Sequence, residues 1–273
     1  MGRKFLKMNG LGNDFVVIET RSEPFSPTAA EVRAISDRTH GIGCDQLIVI
    51  GPGQDADADV RFWNADGEEV GACGNGARCV GWLLMQASGK DEATIRTAAG
   101  LLIATRAGER LVSVDMGPPG LDWREIPLAS EQDTRSLGVA LYPHADLMAP
   151  PGCVSIGNPH VVFFVPDAES LPIAKIGPAV EHHPLFPQGA NVGFAQIKGS
   201  DRIRLRVWER GAGLTKACGT GACAALVAAA RRDLTGRHAT LELDGGELHV
   251  EWRDDDHVIM TGPAAVDYAG ELP

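Results

Sequence analysis

No stretch of this chain approaches the run of about 20 apolar residues that a membrane-spanning helix needs. Its basic start, Met1-Gly2-Arg3-Lys4-Phe5-Leu6-Lys7-Met8-Asn9-Gly10, leads into no apolar core of signal-peptide length, so the sequence reads as cytoplasmic. Neither a Cys-x-x-Cys nor a His-x-x-x-His spacing occurs, which argues against a structural zinc site. The phosphate-loop pattern Gly-x-x-x-x-Gly-Lys-[Ser/Thr] is missing as well. Positive charge is scarce: 25 Lys+Arg stand against 36 Asp+Glu, a net charge of −11, which disfavours nucleic acid or an acidic membrane as main partner. A small zwitterionic ligand is still compatible. What the chain does have is 273 residues at 44% hydrophobic content, enough for one large or two ordinary domains. Its six cysteines, Cys44, Cys73, Cys79, Cys153, Cys218 and Cys223, are expected to be mostly thiols in a reducing compartment.

Two of those cysteines share a context. Ala72-Cys73-Gly74-Asn75-Gly76-Ala77 is nearly repeated as Ala217-Cys218-Gly219-Thr220-Gly221-Ala222, each followed by an apolar run, Val80 to Ala87 and Ala224 to Ala230. This is the look of a helix N-terminus. The first helix is expected to stop at Ser88-Gly89-Lys90 and the second at Arg231-Arg232, with Gly236 as the closing glycine. A thiol at the first turn sits in the positive end of the helix dipole, which favours thiolate and lowers its pKa. The glycines leave room for an anionic group on the unpaired amides. A single such cysteine would be read equally well as a small buried residue at a tight turn, but two matched copies share one explanation.

The repeat extends along the chain. Cys73 and Cys218 are 145 residues apart, as are Asn13 and Asn158, Gln46 and Asn191, Trp63-Asn64 and Trp208-Glu209, and Gly117-Pro118 and Gly262-Pro263. Val- and Ile-rich runs around Phe15 to Ile18, Gln46 to Ile50, Val60 to Trp63, Ile95 to Thr97, Leu101 to Thr105 and Leu111 to Asp115 read as strands. In the second half so do Val161 to Val165, Val192 to Ile197, Ile203 to Trp208, Ala239 to Leu243, Leu248 to Trp252 and Val258 to Met260. A helix through Glu31 to Ser36 is expected to open at Ser26-Pro27-Thr28, with Pro27 in its first turn. The predicted fold is α/β (α+β): two pseudo-symmetric halves, each a mainly antiparallel, barrel-like sheet around one buried apolar helix. The halves are expected at 1–117 and 118–263, with 264–273 packing back on the first half or at a subunit contact.

An approximate twofold between the halves would point both helix N-termini into the cleft between them. Inverting a carbon centre by proton transfer needs a base on one face and an acid on the other, with roles that exchange in reverse. Two equivalent thiols, whose ordinary pKa is about 8.5, fit that need. Asn13, Gln46, Asn64, Asn158 and Asn191 lie at repeat-equivalent or loop positions, where each taken alone would be an ordinary turn or loop residue. Glu209-Arg210, facing Asn64 in the repeat, breaks the symmetry as an asymmetric ligand requires, though such a pair can also be merely solvated. His160 is placed to tune a thiol or donate to a carboxylate, or is a satisfied histidine.

The ordered motifs Asn9-Gly10-x-Gly12-Asn13-Asp14-Phe15, Gly41-Ile42-Gly43-x-Asp45-Gln46, Asn64-Ala65-Asp66-Gly67, Ala72-Cys73-Gly74-Asn75-Gly76-Ala77-Arg78-Cys79, Gly157-Asn158-Pro159-His160, Asn191-Val192-Gly193 and Glu209-Arg210-Gly211-Ala212-Gly213 before Ala217-Cys218-Gly219-Thr220-Gly221 resemble the diaminopimelate epimerase family over essentially the whole chain. The resemblance implies interconversion of LL- and meso-diaminopimelate, without pyridoxal phosphate or metal, in lysine and peptidoglycan synthesis. It implies Cys73 and Cys218 as the acid/base thiols. Asn13, Gln46, Asn64, Gly74, Asn75, Asn158, Asn191, Glu209, Arg210, Gly219 and Thr220 would bind substrate, with His160 and Glu209 adjusting thiol pKa values. A homodimer is implied too. Leu214 departs from the family pattern, where many relatives carry Glu, but is not a matched ligand. Within the same class the alternative is a proline or hydroxyproline racemase, and from another class a thiol redox sensor.

Overall fold

A computed structural model of the chain describes residues 2–138, 140, 141 and 149–272. They fall into two compact units, one running to Asp115 and resuming at Thr261, the other Met116–Met260. The fold is mixed α/β, mostly sheet, with two pseudo-symmetric halves.

In the first unit β1 (Lys4–Gly10) and β2 (Asn13–Glu19) form a hairpin, then α1 (Ala29–Ser36) crosses to β3 (Gln46–Pro52), which lies parallel to β2. Next come β4 (Ala58–Asn64), the short β5 (Glu69–Val70), α2 (Gly74–Ser88), and the meander β6 (Glu92–Thr97), β7 (Gly100–Arg106) and β8 (Leu111–Asp115). The β4–β6 pairing is parallel and the others antiparallel, because a hairpin reverses direction whereas a helical crossover restores it. The second unit repeats the plan. It holds β9 (Gly152–Ser155), β10 (Pro159–Phe164), α3 (Ile173–Glu181), β11 (Asn191–Gly199), β12 (Arg202–Glu209), β13 (Gly213–Thr215), α4 (Gly219–Ala230), β14 (His238–Leu243), β15 (Gly246–Trp252) and β16 (Val258–Pro263), whose last residues belong to the first unit. Here β10–β11 and β12–β14 are the parallel pairs. The chain closes with β17 (Ala265–Glu271), antiparallel to β1 with Phe5 opposite Gly270.

The sequence repeat is a register repeat. Phe15 pairs with Gln46 as His160 pairs with Asn191, and Leu47 with Trp63 as Val192 with Trp208, all 145 residues apart. Inside each unit the central helix packs on its own sheet, α2 against β1, β6, β7 and β8, and α4 against strands that include β9, β10, β12 and β15. Around α1 the first unit buries Phe5, Val16, Ile18, Val32, Leu47, Val49 and Trp63. In the second unit Phe163 and Phe194 stack at 5.7 Å among residues of α3 and β11. Each such side chain removed from water stabilises by about 1.5–3 kcal/mol.

Several local expectations are corrected. Thr28, the last residue of the expected Ser26-Pro27-Thr28 opening, caps α1 in a capping box: its hydroxyl accepts from the Glu31 amide at 3.3 Å, and its own amide donates to Glu31 Oε2 at 2.7 Å. Pro27 therefore precedes the helix. Gly89 closes α2 in the left-handed conformation (φ 71°), as its position suggests. After α4 that conformation is taken by Asp233 (φ 57°), not Gly236, with the Leu234 amide returning to the Ala229 carbonyl at 3.0 Å. The helices also differ in depth: α4 is buried almost throughout, but α2 is buried only through its earlier turns, and Gln86, Ala87 and Ser88 are exposed. No described helix is long and apolar enough to cross a membrane.

Candidate active site

Cys73 is the N-cap of α2. Its backbone is extended (φ −140°, ψ 114°), and its Sγ accepts from the Gly76 amide at 3.4 Å. The type of residue at Gly76 is dictated by packing. A Cβ there would stand 2.9 Å from both Ile48 and Phe62 side chains, so this glycine seats the helix on its sheet rather than clearing space for a ligand. Asn13 follows a tight turn in which Leu11 (φ 61°) and Gly12 (φ 77°) are both left-handed, the turn that joins twisted hairpin strands. That turn delivers the Asn13 carboxamide to the thiol: Cys73 Sγ lies 3.9 Å from Asn13 Oδ1, which also accepts from Asn75 Nδ2 at 3.3 Å. The other end of Asn13 donates from Nδ2 to Asp45 Oδ2 at 2.8 Å. Gln46 and Asn64, opposite each other on β3 and β4, bond through Gln46 Nε2 to Asn64 Oδ1 at 2.9 Å. Gln46 Oε1 is buried and has no hydrogen-bond partner among the described residues, an acceptor that a ligand amine would satisfy.

Cys218 is the N-cap of α4, again extended (φ −119°, ψ 108°), and buried. Its Sγ lies 3.7 Å from the Thr220 hydroxyl, which accepts from Asn158 Nδ2 at 3.4 Å. Asn158 Oδ1 in turn meets His160 Nε2 at 2.9 Å. His160 is fully enclosed, and burial, reinforced by the charge of Arg210, pushes its pKa down to about 3. The imidazole is therefore neutral near pH 7. Because a carboxamide oxygen can only accept, Nε2 is assigned the proton. Gly221 is again constrained by packing, a Cβ there meeting Val207 at 3.0 Å and the Cys218 sulfur at 3.2 Å.

The helix-terminus expectation of a lowered thiol pKa fails at Cys218. Burial first, and then the negative charge of Glu209, push this thiol well above its ordinary value. Thr220 pulls the other way, as does the Gly221 amide, which stops short of capping geometry. Desolvation outweighs the helix dipole because the sulfur is nearly shut off from water. Glu209 is itself held by the Thr215 hydroxyl.

Asn191 is occupied at both ends by backbone, with Nδ2 donating to the Pro159 carbonyl at 3.1 Å and Oδ1 accepting the Arg210 amide at 3.0 Å. Arg210 reaches the Gln188 carbonyl at 3.0 Å. Two carboxylates that sequence reasoning passed over organise these loops. Asp45 holds Asn13, and its presence beside Gln46 in the Gly-Ile-Gly-x-Asp-Gln motif was the available signal. Glu181, buried at the end of α3, accepts from Trp208 Nε1 at 2.7 Å and from the Gly211 amide at 2.9 Å, bracketing Glu209 and Arg210. Nothing in its local sequence marks it.

Each unit thus presents one N-cap thiol, an asparagine at the start of, or just before, the first strand of a parallel pair, and polar groups able to grip a small zwitterion. The diaminopimelate epimerase family model matches residues 5–121 and 152–266. A diaminopimelate epimerase of Phenylobacterium zucineum is 80% identical over 273 residues, covering 100% of this chain and 99% of that protein. One of Caulobacter vibrioides is 60% identical, covering 100% and 98%. The crystal structure of a probable proline racemase from Agrobacterium radiobacter shares the fold, with a TM-score of 0.68 at 18% identity over 99% of this chain and 93% of that one.

Proposed function

The chain belongs to the diaminopimelate epimerase family and interconverts LL- and meso-diaminopimelate, and we propose that Cys73 and Cys218 are the two acid/base thiols of that isomerisation. The carrying observation is that the two halves, equivalent in strand register, each set a cysteine at the N-cap of the central helix. In this reading one thiolate removes the α-proton and the other thiol delivers a proton to the opposite face of the carbon. The roles exchange in reverse, and thiols alone serve as acid and base, without pyridoxal phosphate or metal. Amides at the two helix starts, those of Gly74, Asn75, Gly219 and Thr220, hold the α-carboxylate and steady the charge that builds on it. Asn13, Gln46, Asn64, Asn158, Asn191, Glu209 and Arg210 bind the remaining polar groups.

Glu209 tunes Cys218 directly by favouring its protonated form. His160 acts at one remove, donating to Asn158, which donates to Thr220 beside the sulfur. We take the working halves as 1–117 with 264–273, and 118–263, in a cytoplasmic homodimer that supplies lysine and peptidoglycan synthesis.

The test is solvent-deuterium incorporation at the α-carbon of LL-diaminopimelate, beside L-proline and L-hydroxyproline, with wild type, Cys73→Ser and Cys218→Ser. Exchange with inversion is expected for diaminopimelate alone, reduced by about 10²–10⁴-fold in each variant. Full inversion in either variant would remove that thiol from the mechanism.

A further inference from the structure

We propose that Asp45 is a positioning residue: it holds the Asn13 carboxamide in one of its two orientations, with the carbonyl oxygen turned to the Cys73 thiol. The proposal rests on the reading of Cys73 as an acid/base group and adds to it how that thiol is kept as a donor.

A carboxylate oxygen accepts and never donates, so the Asn13 atom 2.8 Å from Asp45 Oδ2 must be Nδ2. Its Oδ1 then faces Asn75 Nδ2 and Cys73 Sγ, and toward an oxygen the sulfur can only donate. The opposite orientation would present N–H groups to the sulfur and favour thiolate. Asp45 is itself fixed. Oδ2 also accepts the Asp14 amide at 3.0 Å, the Asp45 amide donates to Asp14 Oδ1 at 3.0 Å, and Arg38 Nη2 reaches Asp45 Oδ1 at 2.7 Å and Asp14 Oδ1 at 2.8 Å. Lys7, buried beneath, bonds Asp14 Oδ2 at 2.6 Å and the Gly43 carbonyl. Charged groups packed around Asn13 and Cys73 include Asp14, Asp45, Lys7 and Arg38, with Arg78 on the same helix as Cys73 and Asp267 of β17 beside the Cys79 thiol of that helix.

The repeat supports the assignment. Positions 145 residues beyond Asp14 and Asp45 are Pro159 and Ala190, so the second half has neither the amide that Asp45 accepts nor a carboxylate to accept it. There the carboxamide is held by His160 instead and turns its nitrogen toward Thr220.

The experiment is the pH profile of Cys73 alkylation by iodoacetamide, followed by mass spectrometry of the Cys73 peptide, in wild type, Asp45→Ala and Asp45→Asn. Asp45→Ala frees Asn13 to turn its N–H groups to the sulfur, so alkylation below the midpoint should quicken about tenfold, one pH unit. Asp45→Asn removes the charge but keeps an oxygen claimed by two donors, Asn13 Nδ2 and the Asp14 amide, so its profile should stay near wild type. A wild-type profile in Asp45→Ala, or equal shifts in both variants, overturns the proposal, the latter by showing that charge alone acts. Should Asp45→Ala not fold, nitrogen-15 NMR of the wild-type protein decides. An Asn13 side-chain amide proton protected from solvent exchange is expected, and free exchange of both protons refutes the bond's role. Alkylation does not depend on turnover, so inversion retained in Cys73→Ser would sink the catalytic reading while leaving the Asp45 result to stand or fall by itself.

Discussion

The two halves share a backbone plan and differ in how they hold the asparagine beside each thiol. In the first half Asn13 is fixed by a carboxylate within an ion network of Lys7, Asp14, Arg38 and Asp45, and offers its oxygen to Cys73. In the second, Asn158 is fixed by a neutral, enclosed His160 and offers its nitrogen to Thr220, next to Cys218. The central helices diverge in parallel, α4 being sealed in its sheet whereas α2 surfaces at its C-terminal end. Strand register therefore survives duplication when side-chain chemistry does not. Main-chain pairing constrains every position at once, while a hydrogen-bond partner can be exchanged locally. A reaction that inverts one end of its substrate and leaves the other untouched fits such divergence better than perfect symmetry.

The largest expected effect separates the helices. Ala225, fully buried in α4, has no route to water for a cation, so Ala225→Lys should cost more than about 4 kcal/mol and leave no folded protein. Ala87 is exposed near the end of α2, where a cation suits the helix dipole, so Ala87→Lys should stay within about 0.5 kcal/mol of wild type. Chemical denaturation of both variants checks this, and equal stabilities would erase the difference in depth.

How far this was legible from sequence follows from which constraints are local. The strands β2, β3, β4, β6, β7 and β8 announce themselves in Val and Ile runs, and the thiols, asparagines and fold class in the 145-residue repeat. The strand β17 does not, since Ala-Val-Asp-Tyr-Ala-Gly-Glu alternates weakly and gains its identity only from pairing with distant β1. The helix α3 was hidden by its own Gly177 and Pro178, two helix breakers. Packing explains the glycine: a Cβ at 177 would lie 2.4 Å from the Trp208 ring, and that same ring donates to Glu181. Asp45 and Glu181 escaped because a carboxylate in a loop or at a helix end is ordinarily a surface residue. Their partners arrive from segments many residues away. The thiol pKa at Cys218 was misjudged for a related reason, as the helix dipole is readable locally and burial is not.

A smaller effect tests the ion network that only the first half contains. Burial alone would raise the Asp14 carboxyl, but hydrogen bonds from Arg38 and Lys7 outweigh it and hold the group well below the usual carboxylate range. Lys7→Met leaves Asp14 with the Arg38 guanidinium and the Asp45 amide and should cost about 2–3 kcal/mol at pH 7. A carboxyl depressed on folding contributes stability that is complete above its unfolded pKa of about 3.9 and is lost as pH falls below it. The gap between wild type and Lys7→Met should therefore narrow as pH falls from about 4 toward 2, as read by urea unfolding at each pH. A constant gap would mean that Lys7 acts through packing, not through Asp14.

The finest test concerns the thiol that the second half holds protonated. Glu209 raises Cys218 by charge, and Glu209→Gln removes that charge while keeping an oxygen for the Thr215 hydroxyl. Taking away a raising influence must lower the pKa, so alkylation of Cys218 should shift to lower pH, by about one unit or less. Burial is the larger cause and persists, so the thiol should remain above its ordinary value of about 8.5. The Cys73 profile, set by Asn13 and its own surroundings, should stay in place in the same variant. A shift of both thiols together would mean that Glu209 sets the field for the pair. A shift of Cys218 alone would show that each half tunes its thiol independently, with a carboxylate beside the sulfur in one and a carboxylate behind the asparagine in the other.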